Sequence, residues 1–329
     1  MMKRKAAVIY FLAILLILTA FFSLSGNGTI PFAQVMQMLF SSGGSAESFI
    51  IHELRLPRVI LAVLCGGALG AAGAVLQSVL RNPLASPDLL GISAGGGCAG
   101  LFILLWLPAL MPFMGIAVFC GALLVTLFIC AAAWKKNYSP LQLILTGVAL
   151  SALFGTFSSI MLIMASGKYS AIFDFLAGGF ANASWVQIKY FAPGMVVSII
   201  GAAAMAKKLD VLSLGEEAAD NLGINVMQMR MLALSVAALG AASVAGAAGM
   251  LGFAGLIAPH TVRLLGKSGS NTFIIPAGAL AGAELVLLGD WLGQMAAPEM
   301  TNIPAGVFLS GCGALFFIFL LNNSKRGEI

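Results

Sequence analysis

The chain alternates long apolar runs with short polar breaks. The runs lie near residues 6–24, 57–80, 89–107, 113–134, 141–165, 190–206, 231–248, 250–265, 272–292 and 304–322. A bilayer core about 30 Å thick is crossed by about 20 apolar residues in helical form, so the pattern predicts roughly ten membrane spans. The run at 250–265 is short and carries Pro259, which sets it apart from the others. Spanning strands would alternate polar and apolar residues over about ten positions, whereas these runs are continuously apolar and rich in Leu, Ala and Gly. The expected fold is all-α, one polytopic transmembrane domain over residues 1–329. The first run follows Lys3, Arg4 and Lys5 in the manner of a signal peptide, but it is longer than the usual apolar core of such a peptide and reads as an uncleaved helix.

Charge supplies the orientation. Of the 17 basic residues, 13 fall in alternate breaks: Lys3, Arg4, Lys5, Arg81, Lys135, Lys136, Lys207, Lys208, Arg230, Arg263, Lys267, Lys325 and Arg326. The other breaks hold Arg55, Arg58, Lys168 and Lys189. Cytoplasmic loops retain Lys and Arg, so the bias predicts ten spans with both termini inside a bacterial cell membrane. The net charge of +5 then reflects topology and implies no nucleic-acid partner. With 60% hydrophobic and 9% charged residues and a mean hydropathy of +1.03, the chain has no segment that reads as a soluble domain.

Candidate chemistry is sparse. The five cysteines sit inside apolar runs without metal-like spacing, and His52 and His260 lie far apart, so no metal site is expected. Glu284 stands in the middle of the ninth run, where an ionisable side chain is costly. It fits a proton or cation site, and equally a carboxyl hydrogen-bonded to a neighbouring helix. Asp290, near the outer end of the same run, is expected to reach water. Small residues recur every fourth position as Gly66, Gly70, Ala74 and Ser78, as Gly147, Ser151, Gly155 and Ser159, and as Gly306, Ser310 and Ala314. Such stripes let helix backbones approach closely in lipid. In the fifth and tenth runs the same residues also suit a wide, mildly polar translocation path.

The one long polar stretch on the inner side is residues 207–230, KKLDVLSLGEEAADNLGINVMQMR. Gly215, Glu216, Glu217, Ala218, Ala219 and Asp220 open a helix with acids in its first turn, which suits the helix dipole, and Leu222 with Gly223 closes it. Leu212, Leu214, Leu222 and Ile224 would leave apolar surface in water unless a partner covered them. The segment therefore reads as a docking helix, with a plain solvated connector as the alternative.

Four motifs in order complete the picture: LRLPR at 54–58, NPLASPDLLGIS at 82–93, LSLGEEAADNLG at 212–223 and GFAGLIAPHTVRLLG at 252–266. With these, the chain from Leu54 to Leu321 resembles the ten-helix permease subunits of ATP-binding-cassette importers for iron-siderophore complexes, haem and cobalamin. The resemblance implies that Leu214, Gly215, Glu216, Glu217, Ala218, Ala219, Leu222 and Gly223 couple to a cytoplasmic ATPase dimer. It implies that Arg55 and Arg58 face outward toward glutamates of an extracytoplasmic substrate-binding protein, and that Asn82 and Leu84 belong to a cytoplasmic gate. Asn82 and Pro83 also suit a plain turn. The chain departs from the family pattern at Gln294, where an arginine is common, and at Asn302, where a glutamate is usual; Glu299, three residues earlier, is the remaining candidate on that side.

The resulting expectation is a permease that pairs with a second copy or a close homologue and imports a ferric siderophore, with haem or cobalamin as alternative cargoes. It should bind no cofactor itself, because it lacks a phosphate-cradling nucleotide motif; ATP and Mg belong to the partner ATPase. Two rivals remain: an ion-coupled secondary transporter built on Glu284, and a channel or structural membrane protein, for which no ring of charged residues is visible.

Overall fold

The computed structural model describes residues 2–26, 30–40, 46–136, 139–165, 169–296 and 303–324, and these are helical with turns between. The helices are α1 (Met2–Ser25), α2 (Phe32–Phe40), α3 (Ala46–Phe49), α4 (Leu56–Val79), α5 (Ile92–Trp106), α6 (Met114–Lys136) and α7 (Pro140–Met164). They continue with α8 (Tyr169–Ala177), α9 (Trp185–Ser213), α10 (Glu216–Asn221), α11 (Val226–Ala248), α12 (Ala254–Gly266), α13 (Asn271–Ala296) and α14 (Ala305–Ser324). Every predicted span has its helix: α1, α4, α5, α6, α7, α9, α11, α12, α13 and α14.

Among the described residues, six segments are long and apolar enough to cross a bilayer on their own: Lys3–Ser25, Ala46–Val79, Pro108–Ala132, Pro140–Met164, Val226–Ala248 and Asn271–Ala296. The other predicted spans are 15-residue α5, 13-residue α12, α14, and α9, whose apolar centre lies between Lys189 and Lys207.

Local chemistry sets the helix boundaries. Ser139 and Gln142 form a capping box at the start of α7, with Pro140 in its first turn, and Ser184 with Gln187 does the same for α9. The Asn225 side chain accepts the Gln228 N–H to open α11. α9 extends past the predicted 190–206 at both ends. Its last turns keep Lys207 and Lys208 exposed while Leu209 and Leu212 are buried. α12 begins at Ala254 rather than residue 250, because Gly249 and Phe253 both take positive φ and turn the chain first. The helices α2, α3 and α8, and the π-helical turn Ile50–Arg55, lie in breaks that the hydropathy pattern leaves unassigned.

The core is built on α4, which packs against α9, α11, α12 and above all α13. A Cβ at Gly66 or Gly70 would collide with the carbonyls of Gly282 or Gly278 on α13, and one at Gly73 with Gly255 on α12. With no hydrophobic drive in lipid, this backbone proximity is the source of cohesion. The stripe on α4 is a packing stripe.

Candidate functional site: the two ends of the helix bundle

Hydrogen bonds tie the helix ends together in two sets. At one end Arg4 Nε donates to Leu265 O (2.8 Å), Arg81 donates to Leu212 O (2.8 Å), and Ser270 Oγ donates to Asp210 Oδ2 (2.9 Å). At the other, Arg55 donates to Leu24 O (2.9 Å), Trp185 Nε1 to His52 O (3.0 Å), and the Gly179 and Gly306 N–H groups to Ala248 O (2.8 Å) and Gly178 O (3.0 Å). The residues of the first set lie in or beside breaks predicted to be inner, and those of the second in or beside breaks predicted to be outer.

The short helix predicted after the sixth run is present as α10, at the end predicted to be inner, within a connector shorter than 207–230: α9 holds Lys207 to Ser213, and α11 begins at Val226, before Arg230. Gly215 opens α10 at φ +135°, a conformation L side chains rarely adopt. Gly223, at φ +77°, closes it with paired bonds, Gly223 N–H to Asp220 O (2.9 Å) and Ile224 N–H to Ala219 O (2.9 Å). That is the glycine-terminated helix stop. Glu216, in the first turn, accepts from Arg230 at 2.6 Å, and Ala219 beneath is fully buried, so α10 is pinned to α11. Glu217 and Asp220 stay exposed. Leu214 and Leu222 are 74% and 65% exposed at the two ends of the short helix, while Ala218 is half-buried. Leu212 and Ile224, expected to be wet, are not: Leu212 is buried under the last turn of α9, and Ile224 packs against the core.

Asn82 and Leu84 follow α4 at the same end. The Asn82 side chain accepts the Leu84 N–H at 2.9 Å, a tight local turn that leaves Leu84 exposed. Arg81, just before it, has φ +49° at the position where a helix usually ends on glycine.

Arg55 and Arg58 lie together at the start of α4, at the end predicted to be outer, but their surroundings differ. Arg58 grips Asp290 on α13 with two bonds, Nε to Oδ2 and a terminal nitrogen to Oδ1, both 2.8 Å. Asp290 is 1% exposed and also accepts from Gln294 at 2.8 Å. Asp290, expected to reach water, is thus buried and paired. Gln294, one of the two departures from the family pattern in the sequence, serves that pair. Arg55 is half-buried, without a carboxylate partner among the described residues. Glu299 and Asn302 lie outside the described residues. Beside Arg58, a cavity of about 680 Å3 opens between α5, α6, α8, α9 and α11, lined by Asp174, Asn182, Gln187 and Tyr190 among others. Asp174, Asn182, Gln187 and Tyr190 all come from the stretch between α7 and the first turns of α9, and only the fold brings Arg58 of α4 beside them.

The two remaining small-residue stripes divide. Gly147 is buried: a Cβ there would lie 2.6 Å from Leu90 Cα and 2.8 Å from Leu89 O, so it is a packing contact with the 3-10 turn at Asp88–Leu90. Ser151 leans on the same turn, donating to Asp88 O at 3.5 Å. Gly306 is likewise closed against Ala177 O. A methyl group added at Gly155 would meet nothing within 4 Å, and Ser159 and Ser310 are exposed. Glu284 is buried and accepts from Thr19 of α1 at 2.9 Å, the bond to a neighbouring helix that is one of its two expected roles. Among the described residues no three of His, Cys, Asp and Glu converge as metal ligands would.

Comparison with known proteins gives this geometry its context. The FecCD transport family matches residues 12–323. The Fe(3+)-citrate import system permease protein YfmE of Bacillus subtilis (strain 168) is 36% identical over 332 residues, covering 99% of this chain and 98% of its own. The iron(3+)-hydroxamate import system permease protein FhuG of the same organism is 34% identical over 337 residues, with 98% of each covered. A solved structure described as an inward-facing conformation of a metal-chelate type ABC transporter superposes with a TM-score of 0.85 at 25% identity, over 97% of this chain and 99% of that one.

Proposed function

The chain belongs to the FecCD transport family, and from that premise we propose that it is the membrane-spanning permease subunit of an ATP-driven importer whose cargo is a ferric siderophore. A separate cytoplasmic ATPase dimer hydrolyses ATP with Mg, an extracytoplasmic binding protein delivers the cargo, and this chain does no chemistry of its own. Both termini lie on the cytoplasmic side of a bacterial cell membrane. The iron chelates named for YfmE and FhuG support the choice of cargo over haem or cobalamin.

The observation that carries the reading is α10: a six-residue helix, pinned from behind by Glu216–Arg230, with Leu214 and Leu222 exposed at its two ends. Apolar side chains held rigidly in water fit a cleft in a partner. ATP-driven closure of the ATPase would move α10, and through α9 and α11 alternate access to a path between two permease copies. Gly155, Ser159 and Ser310 belong to that path in this reading, with Gly147, Ser151 and Gly306 holding its walls. Asn82 and Leu84 sit beside the inner exit as the gate. On the outer face Arg55 is the cation left for a carboxylate of the binding protein, and Arg58 keeps α4 and α13 together beneath it; Glu299 completes that face.

Tagged chain purified from its native membrane is expected to bring an ATPase subunit with it, and cells expressing it to take up radioactive iron from one member of a siderophore panel. Removing an apolar anchor from an interface centre costs about 2 kcal/mol or more, so Leu222→Ala should weaken ATPase retention by more than tenfold and reduce uptake with it. Uptake that continues with the ATPase inactivated would overturn the assignment. In that case the buried Glu284 would become the leading candidate for ion coupling.

A further inference from the structure

A second cavity, of about 460 Å3, opens at the inner end where α4 runs into its turn beside α12. Gln77, Arg81, Pro83, His260, Arg263 and Ser268 line it, together with Leu264, and no carboxylate does among the described residues. Arg263 donates to the Gln77 side-chain oxygen, and Arg81 to the carbonyl of Leu212. Neither arginine forms an ion pair among the described residues. A guanidinium has five N–H donors in a fixed fork suited to phosphate, and here both forks rest on neutral oxygens. His260 is 9% exposed, and neither of its ring nitrogens has a hydrogen-bond partner among the described residues. Two arginines without a carboxylate partner and an imidazole without a hydrogen-bond partner among the described residues, around one opening, suit an anion. Basic pockets between membrane helices are where anionic head groups bind.

We propose that this cavity binds a phosphate group, with Arg81 and Arg263 as its charged donors and His260 as a further hydrogen-bond donor. The group can come from the head of an anionic phospholipid or from free phosphate. Because Arg81 also holds the carbonyl of Leu212, two residues before Leu214, a phosphate there ties the α4 turn and α12 to the root of α10. The site needs no ATPase and no cargo, so it stands or falls separately from the transport assignment.

The full-length chain in non-ionic detergent is titrated with phosphatidylglycerol, with phosphatidylcholine and with inorganic phosphate, reading the melting temperature and the adducts retained in native mass spectrometry. Preferential retention of phosphatidylglycerol, with a raised melting temperature, supports the site and names lipid as the source. A rise with inorganic phosphate and none specific to phosphatidylglycerol supports it with the free anion as the source. The double variant Arg81→Gln, Arg263→Gln should weaken retention by roughly tenfold or more, the effect of losing charge-assisted hydrogen bonds. If that variant does not fold, Arg81→Gln alone, at an exposed position, carries the comparison. Equal retention of the two lipids with no response to phosphate, or retention unchanged by the arginine substitutions, overturns the proposal.

Discussion

Helices α4 and α7 look alike in sequence: both are long and apolar, and both carry small residues at every fourth position. In the fold they are opposites. The apolar window containing α4 is 83% buried, and that of α7 is 11% buried. The glycines of α4 meet the backbones of α13 and α12, whereas on the stripe of α7 only Gly147 and Ser151 meet the turn at Asp88–Leu90, and Gly155 and Ser159 farther along it are exposed. A small residue permits close approach without requiring it. Whether the permission is used depends on which helix lies opposite.

Four substitutions test that contrast. The largest effect is expected at Gly66→Leu, where the new side chain would run into the Gly282 carbonyl of α13, a backbone atom that cannot step aside. Severe overpacking of this kind should abolish the folded chain, seen as loss of a monodisperse peak on detergent size-exclusion chromatography. Asp290→Ala comes next, because it strands Arg58 at the α4–α13 seam. Breaking a buried pair by removing one partner costs about 3 kcal/mol, read as a lower midpoint in thermal unfolding; an unchanged midpoint would show that the seam does not depend on the pair. Gly147→Val should cost about 1–3 kcal/mol, since the turn at Leu89–Leu90 must shift. Gly155→Val should leave the isolated chain within about 0.5 kcal/mol of the parent, as surface substitutions do, while reducing transport if that face lines a path. Equal midpoints for the two valine variants would remove the distinction between the ends of α7.

Much of the architecture was readable in advance because lipid imposes a simple rule: backbone polar groups must be satisfied inside each segment, so each apolar run becomes a helix. Ten runs became ten helices. α10 was readable to within a residue, since Gly215, the acidic first turn and Gly223 are local signals needing no tertiary partner. The boundaries of its surroundings were less accessible. Lys207 and Lys208 continue α9, because one face of that extension is buried through Leu209 and Leu212, and a charge-based reading sees only the exposed face.

Pairings between distant positions were beyond the sequence. Asp290 reads as a water-facing acid and Arg58 as an outward-facing cation until α13 is laid on α4, and then each satisfies the other across 232 residues of chain. Glu284 and Thr19 meet in the same way, and Arg81, Arg263 and His260 become one cavity only when the end of α4 lies beside α12. Hydropathy and local capping determined that the protein is a helical membrane bundle, where its long helices lie and that a short capped helix follows α9. Tertiary structure alone decided which small residues touch, which charges are neutralised and which are left without a counter-ion. Helix formation is a property of each segment, while contact is a property of the geometry between segments.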